Sequence, residues 1–203
     1  IKKYLKGDIL EVGAGCGSFT RNYLNEKFTS VTLTEKDKEN FLKLSEKYKE
    51  NEKVKVINEL IYDINHQYNA ILYLHVLEHI KDDKKEINEA IRKLKKNGYL
   101  IIMVPAHQKI YSNLDKEVGH FRRYEADFFK QDIKFMKLVN FKYLDSTGYL
   151  LYKLNSFVFR TEKSPTKFKI FIWDKFFTPL SLIFDFILMY KFGKCILAIY
   201  KKD

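Results

Sequence analysis

The chain has 203 residues, 46% of them apolar, which excludes a disordered polypeptide and suits one domain with its own core, or that domain plus an elaboration. Its 37 Lys+Arg against 26 Asp+Glu leave a formal +11, unevenly spread: residues 1–104 hold 19 basic and 16 acidic side chains (+3), residues 105–203 hold 18 and 10 (+8). An anionic partner should therefore meet the second half.

From the start, Ile1 to Leu10 has lysines but no apolar stretch of signal-peptide length, and the missing initiator Met suggests that a natural N-terminal segment precedes it. Asp8 to Val12 reads as a strand ending in Gly13-Ala14-Gly15-Cys16-Gly17, after which Phe19, Tyr23 and Leu24 recur at helical spacing. Ser30 to Thr34 is a β-branched strand, and Asp37 to Glu50 spaces Phe41, Leu42, Leu44 and Tyr48 as an amphipathic helix does. Val54 to Ile57 and Ala70 to Leu74 are further strands. Asp82 to Lys96 is a helix stopped by Asn97-Gly98, and Tyr99 to Val104 is a strand closed by Pro105. A polar, aromatic stretch, His107 to Tyr124, leads to an expected helix from Glu125 to Leu138 and a strand from Phe141 to Ser146. Thr161 to Lys169 is a charged connector; Phe168 to Tyr190 is apolar on nearly every side of a helical wheel; Cys195 to Tyr200 is a last strand. Alternating strands and helices predict an α/β fold with a mostly parallel sheet covered on both faces. No run approaches the ~20 apolar residues of a spanning helix. Cys16 and Cys195 have no metal-like spacing and build no disulfide framework, which fits a reducing, cytoplasmic setting.

A strand that turns through glycines into a helix is where an open α/β sheet binds a ligand, because bare backbone can approach it closely. The dinucleotide spacing G-x-G-x-x-G would need glycine at position 18, which is Ser18; the third glycine is Gly17. Glu35, 22 residues after Gly13 at the end of the second strand, can accept hydrogen bonds from both hydroxyls of a ribose. A nucleoside-containing ligand follows. A nicotinamide-dependent reductase is the enzymatic rival, with Ser18 standing in for glycine.

Glu11-Val12-Gly13-Ala14-Gly15-Cys16-Gly17, with Glu35 and Leu77-Glu78-His79-Ile80, resembles the motifs of class I S-adenosylmethionine-dependent methyltransferases. Gly119-His120-Phe121-Arg122-Arg123-Tyr124, after Val104-Pro105-Ala106-His107, resembles a bacterial subgroup associated with envelope-glycan genes. The resemblance implies a Rossmann-like, doubly wound, seven-stranded sheet with an antiparallel last strand, in a single domain 1–203. Residues 1–104 would be the cofactor half, 105–124 an active-site loop, and 125–203 the acceptor side with an apolar helical lid at about 165–192. It places S-adenosylmethionine against Glu11, Gly13, Ala14, Gly15, Gly17, Glu35, Lys36, Glu59, Leu60 and Leu74, with Asp63 the rival of Glu59 at the adenine. Asn69 departs from the Asp common there, at a structural position.

The sulfonium donor is already activated, so acid–base help is needed only for a hydroxyl acceptor. Of five histidines, His75, His79, His107 and His120 follow strands four and five, His66 being the exception. His75, His79 and His120 are the catalytic candidates, and 75, 78 and 79 would share a face on a helical turn. His75-x-x-Glu78-His79 also resembles an E-x-x-E-H block that, with a later histidine, holds a divalent metal in some methyltransferases of sugar or catechol hydroxyls. Glu78, His79 and His120 would be the set here. The competing reading, in which Glu78 and His79 hold the loop by hydrogen bonds without metal, is the one adopted. Arg122, Arg123, Tyr124 and His107 are the substrate-binding candidates; one arginine is expected to grip an anionic acceptor and the other to pair with a carboxylate such as Glu117 or Glu125 and pin the lid over the cofactor.

The expected activity is methyl transfer to a hydroxyl of a small-molecule or glycan-type, anionic acceptor. An RNA-binding methyltransferase-like protein, suggested by the net charge, is opposed by scattered lysines without clustered stacking aromatics. A non-catalytic partner subunit is a third reading. Residues 165–192 could pack as a lid broken at Pro179, form a homodimer, or touch the inner membrane surface as a peripheral protein.

Overall fold

The computed structural model describes residues 1–24, 28–131, 133–158 and 178–203, including all side chains there except those of 153–158 and 178. Seven strands, β1 (Gly7–Val12), β2 (Phe28–Thr34), β3 (Val54–Ile57), β4 (Tyr68–Leu74), β5 (Leu94–Pro105), β6 (Met136–Leu144) and β7 (Cys195–Lys202), make one sheet in the order β3-β2-β1-β4-β5-β7-β6. The first five pair in parallel, and β7 enters antiparallel between β5 and β6. This is the Rossmann-like methyltransferase sheet that the motifs implied.

Both faces are covered, because successive side chains of a strand point to opposite sides. On β1, Leu10 and Val12 enter a core with Ile87, Ala90 and Ile91 of helix α3 (Asp83–Arg92) and Phe129 of α5 (Ala126–Lys130). Ile9 enters the opposite core with Tyr23 of α1 (Thr20–Tyr23) and with Leu44 and Tyr48 of α2 (Lys38–Tyr48). Asp37 and Asp82 start α2 and α3 as side-chain caps, accepting the N–H groups of Asn40 at 2.8 Å and Lys85 at 3.1 Å. α4 (Asn113–Glu117) lies in the loop after β5.

Several expectations are corrected. The helix after the glycine turn shrinks to the four residues of α1. α3 ends at Arg92, and β5 begins at Leu94 with an irregular register opposite β4, Asn97 taking a φ of +61°. The helix expected over 125–138 stops at Lys130, and β6 starts at Met136. Pairing with β7 decides this: a bulge between Leu138 and Asn140 shifts parity, so Met136, Leu138, Phe141 and Tyr143 all reach one core.

Helix α6 (Ser146–Val158) had no counterpart in the sequence reading, although Asp145 caps it by accepting the Gly148 N–H at 2.9 Å. α7 (Thr178–Ile187) has Pro179 in its first turn, where no helical bond is lost. Buried Asp185 on α7 accepts the N–H groups of Asp145 at 2.9 Å and Ser146 at 2.8 Å, which ties α7 to the start of α6. The connector 161–169 and the first part of the apolar segment lie outside the described residues.

Candidate active site

The switch between strand crossovers falls between β1 and β4, and the glycine turn leaves β1 there. Gly13, Gly15 and Gly17 all have positive φ, +66°, +56° and +71°. They differ in surroundings. A Cβ on Gly13 would stand 2.9 Å from Val76 Cγ2, and one on Gly17 2.9 Å from Leu44 Cδ1, so these two are glycines for packing as well as conformation. Gly15 has open space on its bare side, which leaves backbone free to face a ligand.

Neighbouring strands hold the turn. Gly13 N–H donates to Thr34 Oγ1 at 3.2 Å and Ala14 N–H to the Thr34 carbonyl at 2.8 Å. Glu35 Oε2 accepts Gly15 N–H at 2.7 Å while its Oε1 accepts Asp37 N–H at 2.8 Å, so the ribose candidate also orders the turn. Lys47 Nζ donates to the Cys16 and Gly17 carbonyls. Glu11 is buried and accepts from Thr20 Oγ1 at 2.6 Å and from the Tyr23 hydroxyl. Burial raises its carboxyl above the usual range, against those two hydrogen bonds and the charge of Lys47.

Lys36 and Glu59 are exposed beyond β2 and β3, and Leu60 is half exposed. Glu59 has no hydrogen-bond or ion-pair partner among the described residues, whereas its rival Asp63 accepts the Leu60 N–H at 3.4 Å. Leu74 is buried at the end of β4. An open backbone turn flanked by a strand-end carboxylate and the polar end of β3 fits S-adenosylmethionine. Glu11, Gly13, Ala14, Gly15, Gly17, Glu35, Lys36, Glu59, Leu60 and Leu74 would hold it.

Beyond β4, His75 takes a φ of +59° and stacks on Phe19 with ring centroids 5.8 Å apart. His75 Nδ1 lies 3.3 Å from Glu78 Oε1. Burial opposes charge on this ring, but hydrogen bonds to Cys195 and Glu78 outweigh it and push the imidazole up to about 10. Glu78 and His79 follow on a single 3-10 turn (Leu77–His79) rather than an α-helical one.

The loop after β5 brings His120 to them. The His79 and His120 rings meet edge to face, centroids 4.7 Å apart. His79 Nδ1 donates to the Gly119 carbonyl at 3.2 Å, and His120 Nδ1 donates to Asp115 Oδ1 at 2.8 Å. Each ring therefore keeps Nε2 as its lone-pair nitrogen when neutral. Val76, pressed against Gly13, joins this cluster to the glycine turn.

The expected division of labour between the arginines is corrected. Arg122 donates to Asp83 Oδ2 at 2.6 Å and to the Lys81 carbonyl at 2.7 Å. Arg123, only 9% exposed, contacts both oxygens of Asp115 at 3.0 and 3.1 Å. Arg122, partly exposed, and Arg123, nearly buried, each take a carboxylate partner, and the carboxylates are Asp83 and Asp115 rather than Glu117 or Glu125. Tyr124 is buried, its hydroxyl donating to Asp83 Oδ2 at 2.9 Å and lying 3.1 Å from the Leu77 carbonyl. All three anchor the loop that carries His120.

Asp115, which the sequence reading missed, is the hub of that loop. It accepts from Ser112 N–H, Ser112 Oγ, His120 and Arg123. The Ser112-x-x-Asp115 box at the start of α4 was the available signal. Burial would raise its carboxyl, but Arg123, the Ser112 amide and His120 outweigh burial and hold it below the ordinary value.

His107 is elsewhere. It lines a cleft of about 630 Å³ with Lys109, Ile110, Glu125, Ala126, Asp127, Tyr143 and Tyr149. Its ring lies flat on Tyr143, 5.3 Å between centroids, and Nε2 donates to the Gly193 carbonyl at 2.9 Å.

A family model described as "Methyltransferase domain" matches residues 2–144. Among solved structures, the chain is similar to N-methyltransferase NodS from Bradyrhizobium japonicum WM9 in complex with S-adenosyl-L-homocysteine, at 12% identity and TM-score 0.60, covering 97% of this chain and 78% of that one. It is also similar to a putative sarcosine dimethylglycine methyltransferase from Galdieria sulphuraria (13% identity, TM-score 0.65, 100% and 81% covered). A third is an S-adenosylmethionine-dependent methyltransferase from Clostridium acetobutylicum ATCC 824 (14% identity, TM-score 0.61, 99% and 86% covered). No curated protein sequence matches the chain. With the family's model covering the glycine turn, Glu35 and the His79–His120 cluster, the chain belongs to the methyltransferase domain family and is an S-adenosylmethionine-dependent methyltransferase.

Proposed function

We propose that this enzyme methylates a hydroxyl group of a polar, glycan-type or other small-molecule acceptor. Bound S-adenosylmethionine supplies a methyl group on a sulfonium, a donor needing no further activation. The chain's own task is to align the acceptor oxygen, exclude water and receive the hydroxyl proton. The observation that carries this reading is His120: Asp115 takes its Nδ1–H, so Nε2 is the atom that accepts the proton. An amine already neutral attacks with its own lone pair, whereas a hydroxyl must lose its proton near the transition state. Arg122 and Arg123 are held in ion pairs with Asp83 and Asp115, so this reading does not rely on them to grip the acceptor.

The test is transfer of labelled methyl to matched hydroxyl and amine acceptors. Label on oxygen is expected, with His120→Ala lowering kcat by ~10²–10⁴-fold and leaving the S-adenosylhomocysteine Kd unchanged. Methylation confined to amines, or an unchanged kcat in the variant, would overturn the reading.

We also infer work in the cytoplasm against the inner membrane surface. No helix among the described residues is long and apolar enough to cross a membrane, but α7 and the turn after it expose Leu182, Ile183, Phe186, Ile187 and Met189. Lys191 is exposed beside them, and Lys142 lies over the Tyr190 ring at 3.6 Å.

A further inference from the structure

We propose that Glu78, His79 and His120 form a binding site for a divalent first-row transition-metal ion. One donor atom from each of the three side chains lies within 4.8 Å of the others. Glu78 is wholly buried, and its Oε2 has no hydrogen-bond partner. A buried carboxylate oxygen left without a partner is expensive, and native structures retain one where a ligand completes it.

The rest of the cluster is arranged around that oxygen. His75 takes Oε1, and Oε2 stays without a hydrogen bond. A carbonyl cannot donate, so His79 carries its proton on Nδ1, toward Gly119, and offers Nε2. His120 is bound the same way, with the Asp115 carboxylate fixing its tautomer and Arg123 fixing Asp115. A histidine whose far nitrogen donates to a carboxylate or a backbone carbonyl is what a metal-ligating imidazole requires, and here both meet it.

Two imidazole nitrogens and one carboxylate oxygen suit zinc, cobalt, nickel or iron rather than magnesium or calcium. Three protein ligands leave a coordination position open, as in hydrolytic zinc centres. Its catalytic role, though not the binding, rests on the hydroxyl-acceptor reading. An acceptor oxygen taken up there would surrender its proton to solvent water more readily, with the metal–oxygen bond replacing the O–H bond. His120 Nε2 would then be a metal ligand in place of the proton acceptor, and its loss would remove the ion.

The experiment uses the full chain, stripped with chelator and dialysed, then titrated with Co²⁺ by visible absorption and with Zn²⁺ by calorimetry. One ion per chain is expected, with intense tetrahedral Co²⁺ bands. Glu78→Gln and His120→Ala should abolish the bands, Asp115→Asn should weaken binding ~10–100-fold, and His66→Ala should change nothing. Because Glu78→Gln could unfold so buried a position, circular dichroism and S-adenosylhomocysteine binding are measured on every variant. No stoichiometric uptake by the wild type, or uptake undiminished in folded Glu78→Gln and His120→Ala proteins, would overturn the site. Oxygen methylation persisting in chelated protein that takes up no metal would sink the metal and leave the hydroxyl reading standing; failure of both would sink both.

Discussion

Gly15 is the glycine whose substitution separates function from stability. Alanine there meets no atom, so its cost is conformational, about 1–2 kcal/mol for a φ of +56°. Gly13→Ala carries the same strain and also drives a methyl group into Val76, which supports the His79 loop. Both should weaken S-adenosylhomocysteine binding in calorimetry. In thermal unfolding without ligand, Gly13→Ala should lose clearly more than Gly15→Ala; equal losses would mean that Val76 yields freely. The three glycines look alike in a sequence string, since what distinguishes them is contributed by Val76, Leu44 and Tyr48 from other elements.

Among the elements, the loop from His107 to Tyr124 depends on Asp115 for its shape. Removing that carboxylate strands Arg123 and His120, and Asp115→Ala should cost about 3–5 kcal/mol, the range for breaking a buried pair. The pH dependence follows from the depressed carboxyl of Asp115. Its contribution is fully present above the unfolded value, near 3.9, and is lost as pH falls through the lower folded value. Acid titration of the His120 ring signals by NMR should therefore show the loop releasing below about pH 4. Asp115→Asn should abolish that transition while the other acid transitions remain. Element boundaries were least legible where pairing overrides local pattern. Met136 to Leu144 alternates with period two only once the bulge before Asn140 is allowed, and β7, some sixty residues onward, imposes it. α6 is fixed partly by its own Asp145 and partly by Asp185, 39–40 residues away, which no local window contains.

For the whole molecule, the net charge of +11 divides differently than a count by halves suggests. Its two most conspicuous cations, Arg122 and Arg123, are internal ties, and the charge left for a partner is carried by surface lysines, Lys191 among them beside the apolar α7. The protein should pellet with vesicles rich in anionic lipid at low salt, and a Phe186→Ser/Met189→Ser double variant should stay in the supernatant with its thermal stability unchanged. Failure to pellet, with a dimer in sedimentation, would assign the α7 face to a second copy instead. The sequence by itself determined the sheet class, the family and the cofactor turn, because a Gly-x-Gly-x-Gly strand end and a ribose-spaced acid are local consequences of backbone geometry. It also named Glu78, His79 and His120, but as two separate stretches of chain. Only the tertiary structure decided that Asp115 and Asp83 take the arginines, that His107 belongs to a different cleft from His120, and that a carboxylate oxygen of Glu78 is buried without a partner. Each of those facts is a meeting of residues far apart in the chain, and burial sets its energy by removing the water that would otherwise satisfy every charge.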